Sequence, residues 1–305
     1  MSQVSISQND ALYELGRLHQ ARCDFGIAIT KYQAASDGYF EEKNLEFYLK
    51  CQNHLLAIFA QREDAENIRL TKERLQDLVL KEGFELSSKT YYTLGICASL
   101  KGQYDVGIDY YQKSLAIALA NDDKYDICHA IHGLAYSYYS LDRLSEAMKE
   151  IYNLQVFFQV IDLPEVKLAS QMLNGQILRK LGKYEQALEI LWSCYDLVRD
   201  QKSMVMYLSL LYGMAITYKD SGELDMARMY LKLAKKSSDP ENLRYLCRHI
   251  DMQIAELGGS SEEDFDLIFD PISNAVTEKK KGRVDFKNQF ILLDMLRLFM
   301  KQPGA

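Results

Sequence analysis

Few residues in this chain are spaced for chemistry. Cys128-His129 and His132 stand close together, and histidines at i and i+3 of a helix share a face and can share a metal ion. A structural zinc site takes four ligands, and no third or fourth follows nearby in sequence. The two histidines therefore read as hydrogen-bonding or stacking groups, and no metal or cofactor is expected. Asp105/Asp109 and Glu146/Glu150 are carboxylates at i, i+4. A glycosidase-type pair must flank a cleft, whereas one helix face simply presents both groups to water. Residues 279–283, Lys-Lys-Lys-Gly-Arg, suit a solvated turn, with a phosphate or membrane contact as the alternative. No nucleophile elbow, Walker loop, HExxH or glycine-rich phosphate loop occurs. The chain is not expected to be an enzyme.

Composition narrows the scaffold. At 305 residues the chain is one large domain or two ordinary ones. It is 48% hydrophobic and 26% charged, too apolar for a disordered chain. Only four prolines occur, which favours helices over a loop-rich β-fold. A net charge of −7 argues against a broad nucleic-acid or anionic-membrane surface. No apolar run is long enough to span a bilayer, and the first residues lack a signal-peptide pattern. The six cysteines are scattered with no CxxC, as in a reduced, cytoplasmic protein.

The sequence repeats. Gly95, Ala135, Gly175 and Ala215 recur at a fixed spacing, and Gly107, Ala147, Ala187 and Ala227 follow in the same register. Tyr104, Leu144, Tyr184 and Leu224 form a large apolar column, and Tyr111, Ile151, Leu191 and Leu231 another. Between the small residues lie Gly102, Asp142-Arg143, Gly182 and Gly222, which suit a turn that closes one helix and opens the next. Small residues let two helices cross closely while the large ones fill the groove beside them. Each period is a helix–turn–helix pair, stacked on the next as a solenoid.

These columns resemble the tetratricopeptide repeat (TPR). Leu94-Gly95, Ala98, Tyr104, Gly107 and Tyr111 carry the pattern in one unit, and Gly182-Lys-Tyr-Glu-Gln-Ala-Leu in another. Upstream, Gly16, Phe25, Ala28 and Tyr32 give a first unit, and Asn53 with Ala65 marks a weaker second. The resemblance implies an all-α fold, a right-handed TPR α-solenoid of six helix pairs. The period is about 40 residues, against about 34 for the common unit, so the extra residues lengthen helices or inter-unit loops. Lengthened units resemble those of bacterial peptide-sensing regulators and of cell-polarity adaptors.

In such a solenoid the first helix of each unit lines the concave face. The inward side chains are then Tyr13, Arg17, Lys50, His54, Tyr92, His129, His132, Tyr136, Tyr139, Gln176, Arg179, Tyr212 and Lys219. Rich in tyrosine, histidine and cations and almost without carboxylates, this face suits an acidic or carboxylate-ended peptide or protein. The alternative is that tyrosines such as Tyr136, Tyr139 and Tyr212 pack between helices. Arg17, Arg179 and Lys219 are expected to be exposed.

The array is expected over residues 1–258, closed by an amphipathic capping helix at 241–257 that covers the last apolar face. Residues 259–305 differ. Short apolar runs at 266–270, 275–277 and 284–286 read as strands, and 290–299 as a helix. The tail resembles the opening half of a response-regulator winged-helix domain, without the recognition helix, so direct DNA binding is not expected. So small a unit needs a partner surface: the cap, or a second copy in a homodimer. Three roles fit: a scaffold or adaptor in bacterial signalling, the sensor half of a transcription regulator, and a polarity adaptor for a small GTPase or receiver protein.

Overall fold

A computed structural model of the chain describes residues 7–201, 203–258, 267–270, 275–278, 282–285 and, further on, 292, 294, 295 and 298. Six helix pairs follow one another: α1 (Gln8–Ala21) with α2 (Phe25–Glu41), α3 (Leu45–Gln61) with α4 (Ala65–Glu82), and α5 (Ser88–Leu100) with α6 (Tyr104–Ala120). Then come α7 (Lys124–Ser140) with α8 (Leu144–Phe157), α9 (Pro164–Lys180) with α10 (Tyr184–Gln201), and α11 (Met204–Asp220) with α12 (Leu224–Ser237). Helices pack on their sequence neighbours, except that α5 packs on α3 rather than on α4, and first helices of successive units touch, as in a solenoid. Inner helices start at short polar residues: the side chains of Ser7, Asn44, Ser87, Asp123 and Ser203 each accept an N–H from the residue three positions on.

The turn inside every pair passes through one left-handed residue, at Cys23, Glu63, Gly102, Asp142, Gly182 and Gly222, with φ between 52° and 90°. Glycine takes this conformation without a Cβ penalty, and the other three hold it under strain. These residues set the true register. Gly16, Leu56, Gly95, Ala135, Gly175 and Ala215 occupy one buried column, and Ala28, Ile68, Gly107, Ala147, Ala187 and Ala227 the other. The second unit is therefore marked by Leu56 and Ile68, not by Asn53 and Ala65 as the sequence pattern suggested. Two large residues took the small-residue positions, and the repeat is one residue shorter between Glu63 and Gly102 than elsewhere. Where the column is glycine the contact is tight: a Cβ on Gly95 would lie 2.5 Å from the Tyr111 ring.

The longer period is used in both expected ways. Several helices run 17 residues. Three-residue turns join α2 to α3 and α6 to α7, while α4–α5 and α8–α9 have longer links.

The capping helix α13 (Arg244–Glu256) begins later than expected, because the Asp239 carboxylate accepts the N–H groups of Glu241 and Asn242 and holds a turn there. The helix packs on α12 and α11 of the last unit, as expected of a cap, and reaches further. The solenoid curls until its ends meet, and α13 lies against α3 of the second unit. Arg248 binds Glu63 at 2.6 Å, and Arg62 binds Glu241 at 3.4 Å. One hydrophobic cluster runs from Cys23 and Leu49 through Leu211 and Leu231 to Leu246 and Ile250, joining the first units to the last. All six cysteines are buried and unbonded to one another.

In the tail, β1 (Leu267–Asp270), β2 (Ala275–Glu278) and β3 (Gly282–Asp285) pair antiparallel in sequence order, with Ile268 opposite Thr277 and Val276 opposite Val284. Gly282 and Arg283, expected in a basic turn, are the first residues of β3. Val276 is buried. The expected helix at 290–299 lies mostly outside the described residues; within it Leu292, Met295 and Leu298 are helical and exposed. Among the described residues no helix is long and apolar enough to cross a membrane.

Candidate binding groove

The inner helices α1, α3, α5, α7, α9 and α11 present matching positions to the concave face, so each site residue can be placed by its offset from the small-residue column. Three positions before the column stand Tyr13, Asn53, Tyr92, His132, Met172 and Tyr212; six before it stand Lys50, Lys89, His129, Ala169 and Ser209. The position six before the column thus carries charged or ionisable groups in the early units and small ones in the later units. The groove divides accordingly into two cavities.

The N-terminal cavity, of about 610 Å³, takes its walls from α1, α3, α5 and the start of α7. Of the predicted residues, Tyr13, Lys50, His54 and Tyr92 line it. His54 stacks on Tyr32 with ring centroids 4.7 Å apart, and hydrogen-bonds with the Tyr13 hydroxyl at 3.2 Å and Gln20 Oε1 at 2.8 Å. It bridges the first two units as well as facing the groove. His129 packs against Tyr92, centroids 5.2 Å apart. Arg17 is exposed, as expected, and pairs with Glu14 on its own helix. Lys50 pairs with Glu46 at 2.7 Å and lies over the Phe47 ring.

The C-terminal cavity, of about 510 Å³, has a floor from α7, α9 and α11 and is crossed by α13. His132, Tyr136, Tyr139, Gln176 and Tyr212 line it, facing Tyr245, Leu246 and His249 of α13. Tyr136 and Tyr245 join by a hydrogen bond between their hydroxyls. Arg179 and Lys219 are not free as expected. The Arg179 side chain is only 13% exposed; it pairs with Asp220 and donates to the Tyr139 hydroxyl at 2.8 Å and to Gln176 Oε1 at 3.0 Å. Lys219 donates to Gln253 of α13 at 2.7 Å and pairs with Glu256. The expectation of a groove almost without carboxylates fails for the same reason. The acids come from the first helices themselves, from helix ends and turns, and from α13, and folding brings the last of these to the cations.

Two residues that the sequence reading missed shape the N-terminal cavity. Lys89 lies over the Tyr92 ring, 4.9 Å from its centroid, and among the described residues makes no ion pair. Burial lowers its pKa, opposed by the more distant Asp126, Glu165 and Asp123. Asn53 donates to Thr90 Oγ1 at 3.2 Å, and its own carbonyl oxygen is buried without a partner. The correct register of the second unit would have put Asn53 on this face, and extending the His129 position to other units would have found Lys89. Two of the nearby acids are engaged: Asp126 accepts from the Ser88 hydroxyl, and Asp123 caps α7. Glu85 also lines the cavity, and among the described residues makes no ion pair.

Burial keeps His54, His129 and His132 neutral. Desolvation, with Lys89 adding repulsion, brings His54 to about 4 and His129 to about 3. Desolvation brings His132 to about 4, although a hydrogen bond to the Ala169 backbone opposes it. Burial also raises the Tyr92 and Tyr212 hydroxyls to about 12. No group of three or more metal-ligating side chains occurs among the described residues.

Comparison with known proteins fits this geometry. Residues 88–121, the α5–α6 pair, match the tetratricopeptide repeat family. A solved Rap protein complexed with Competence and Sporulation Factor is similar at 14% identity and a TM-score of 0.56, over 84% of this chain and 78% of that one. The nearly identical TPR-like repeats of a Podosopora anserina protein assigned as a kinesin light chain align at 17% identity and a TM-score of 0.42, over 67% of this chain and 95% of that one. No curated protein sequence matches significantly. The fold is that of a TPR α-solenoid.

Proposed function

We propose that this TPR solenoid is a non-catalytic interaction module that seats an acidic or carboxylate-ended peptide, free or as a segment of a protein partner, in the N-terminal half of its groove. One observation carries the reading: the cavity of about 610 Å³ holds Lys89, a cation with no ion pair of its own among the described residues, at a position solvent still reaches. An ammonium without an ion pair of its own, set inside a cavity, can donate charge-assisted hydrogen bonds to an incoming carboxylate. Tyr13, Tyr92 and Phe84 add stiff apolar contact beside it. The C-terminal half is the poorer seat, because α13 already satisfies Lys219 and covers Tyr136.

The likeness to a Rap protein solved with a bound factor supports a regulatory or signalling role over a purely structural one. Six buried, unpaired thiols support a reducing, cytoplasmic setting. An array of acidic and carboxyl-terminal peptides, read by fluorescence anisotropy, tests the proposal. The best binder should lose at least about tenfold in affinity with Lys89→Glu and become less sensitive to salt. Binding that survives this change intact would move the seat to the convex face or the tail.

A further inference from the structure

The C-terminal cavity is unlike a peptide groove. Its floor comes from three successive units and α13 lies across it. Its walls are largely aromatic and thioether: Tyr136, Tyr139, Met172, Met206 and Tyr245. Among the described residues it holds no uncompensated charge, since Lys180 at its edge is tied to Asp142 at 3.1 Å and to the Tyr139 carbonyl at 2.9 Å. His132 is neutral near pH 7, with its pKa at about 4. Two hydroxyls on the α11 wall, Ser209 and Tyr212, stand three residues apart on one helix face, and among the described residues neither has a hydrogen-bond partner.

We propose that this cavity is a second binding site, distinct from the peptide seat, for a small neutral aromatic molecule whose ring lies among the tyrosines and methionines and whose single polar group hydrogen-bonds to Ser209 and Tyr212. Its volume is that of a small-molecule pocket. Its walls suit a ring: tyrosine edges and methionine sulfurs both make favourable contacts with aromatic faces. Its electrostatics exclude an anion: with the cations paired, a carboxylate would be desolvated without compensation. A ligand there would touch the floor helices and Tyr245, Leu246 and His249 together, so it would hold α13 to the array.

Para-cresol, titrated into the full chain, is the direct probe, followed by thermal shift and by amide hydrogen exchange along α13. The expected result is a saturable rise in Tm with slower exchange in residues 244–256. Para-hydroxybenzoate, the same ring with a carboxylate, should bind at least about tenfold more weakly. Tyr212→Phe should weaken para-cresol by about five- to tenfold through loss of one hydrogen bond. Ser209→Trp, which fills the space, should abolish its binding while peptide binding at Lys89 persists. Conversely, Lys89→Glu should leave para-cresol untouched, which keeps failure of this site distinct from failure of the peptide seat. The proposal is overturned by undetectable para-cresol binding to the unmodified chain, by equal binding of the anion, or by full binding in a folded Ser209→Trp chain. Tighter binding of N-acetyl-tyrosinamide than of para-cresol would also overturn it, since the ring would then belong to a peptide side chain.

Discussion

The two halves of the groove share a backbone and differ in chemistry. In the N-terminal half, Lys50, Lys89 and His129 stand at the position that Ala169 and Ser209 fill in the C-terminal half. The first arrangement leaves a cation without an ion pair among the described residues; the second leaves a neutral aromatic chamber with a helix across it. A repeat fixes where side chains project but not which ones, so one scaffold can offer two unlike sites on one continuous face.

The largest expected effect that separates the halves is loss of α13 docking. Leu246 is buried in the cluster that joins the first units to the last. Leu246→Ala should cost about 2–5 kcal/mol, the usual range for such a cavity, measured by urea denaturation. Hydrogen exchange should show α13 loosened and the α5–α6 pair still protected. If both regions open together, the halves are one cooperative unit.

Acid should act next, and more strongly on the N-terminal half. His54, His129 and His132 have native pKa values of about 4, 3 and 4, below the unfolded value of about 6.5. As pH falls below 6.5 the unfolded chain takes up protons that the native chain refuses. Stability is therefore lost between about 6.5 and 4, by on the order of 1–2 kcal/mol for each histidine at pH 5. The double change His54→Phe with His129→Phe should flatten the Tm-against-pH curve more than His132→Phe does. Equal flattening would show that the halves do not differ in this respect.

The smallest effect concerns the polar ties of α13. Lys219 and Glu256 are both partly exposed, at 27% and 51% of their side-chain surface. Such pairs contribute at most about 1 kcal/mol, so Lys219→Gln should shift Tm by only a few degrees and faster exchange should be confined to α13. A large drop in Tm would mean that this tie, and not burial of Leu246, holds the helix.

Much of the fold was legible because helix crossing constrains residue size. Gly95 and Gly107, or Ala135 and Ala147, advertise a close approach wherever they occur. The second unit was misread because Leu56 and Ile68 fill those positions with bulk, and only the left-handed residue at Glu63 restores the register. That one shift hid Asn53 from the list of inward residues. The groove residues were placed by period alone, and period cannot show what a side chain meets there. Arg179 and Lys219 were counted as free cations because their acids, Asp220 and Glu256, come from a helix end and from α13.

The sequence by itself determined the helix pairs and their turns, and in five of the six units the register of the small-residue columns, because these depend on local periodicity and on residue size at contacts between neighbours. Only the tertiary structure decided that the ends of the solenoid meet, that α13 crosses the groove, and that one half holds a lysine with no ion pair among the described residues while the other is neutralised and covered. Those outcomes depend on the curvature accumulated over six units. A small rotation at each interface, invisible in any one repeat, brings Glu63 to Arg248 across 185 residues of chain.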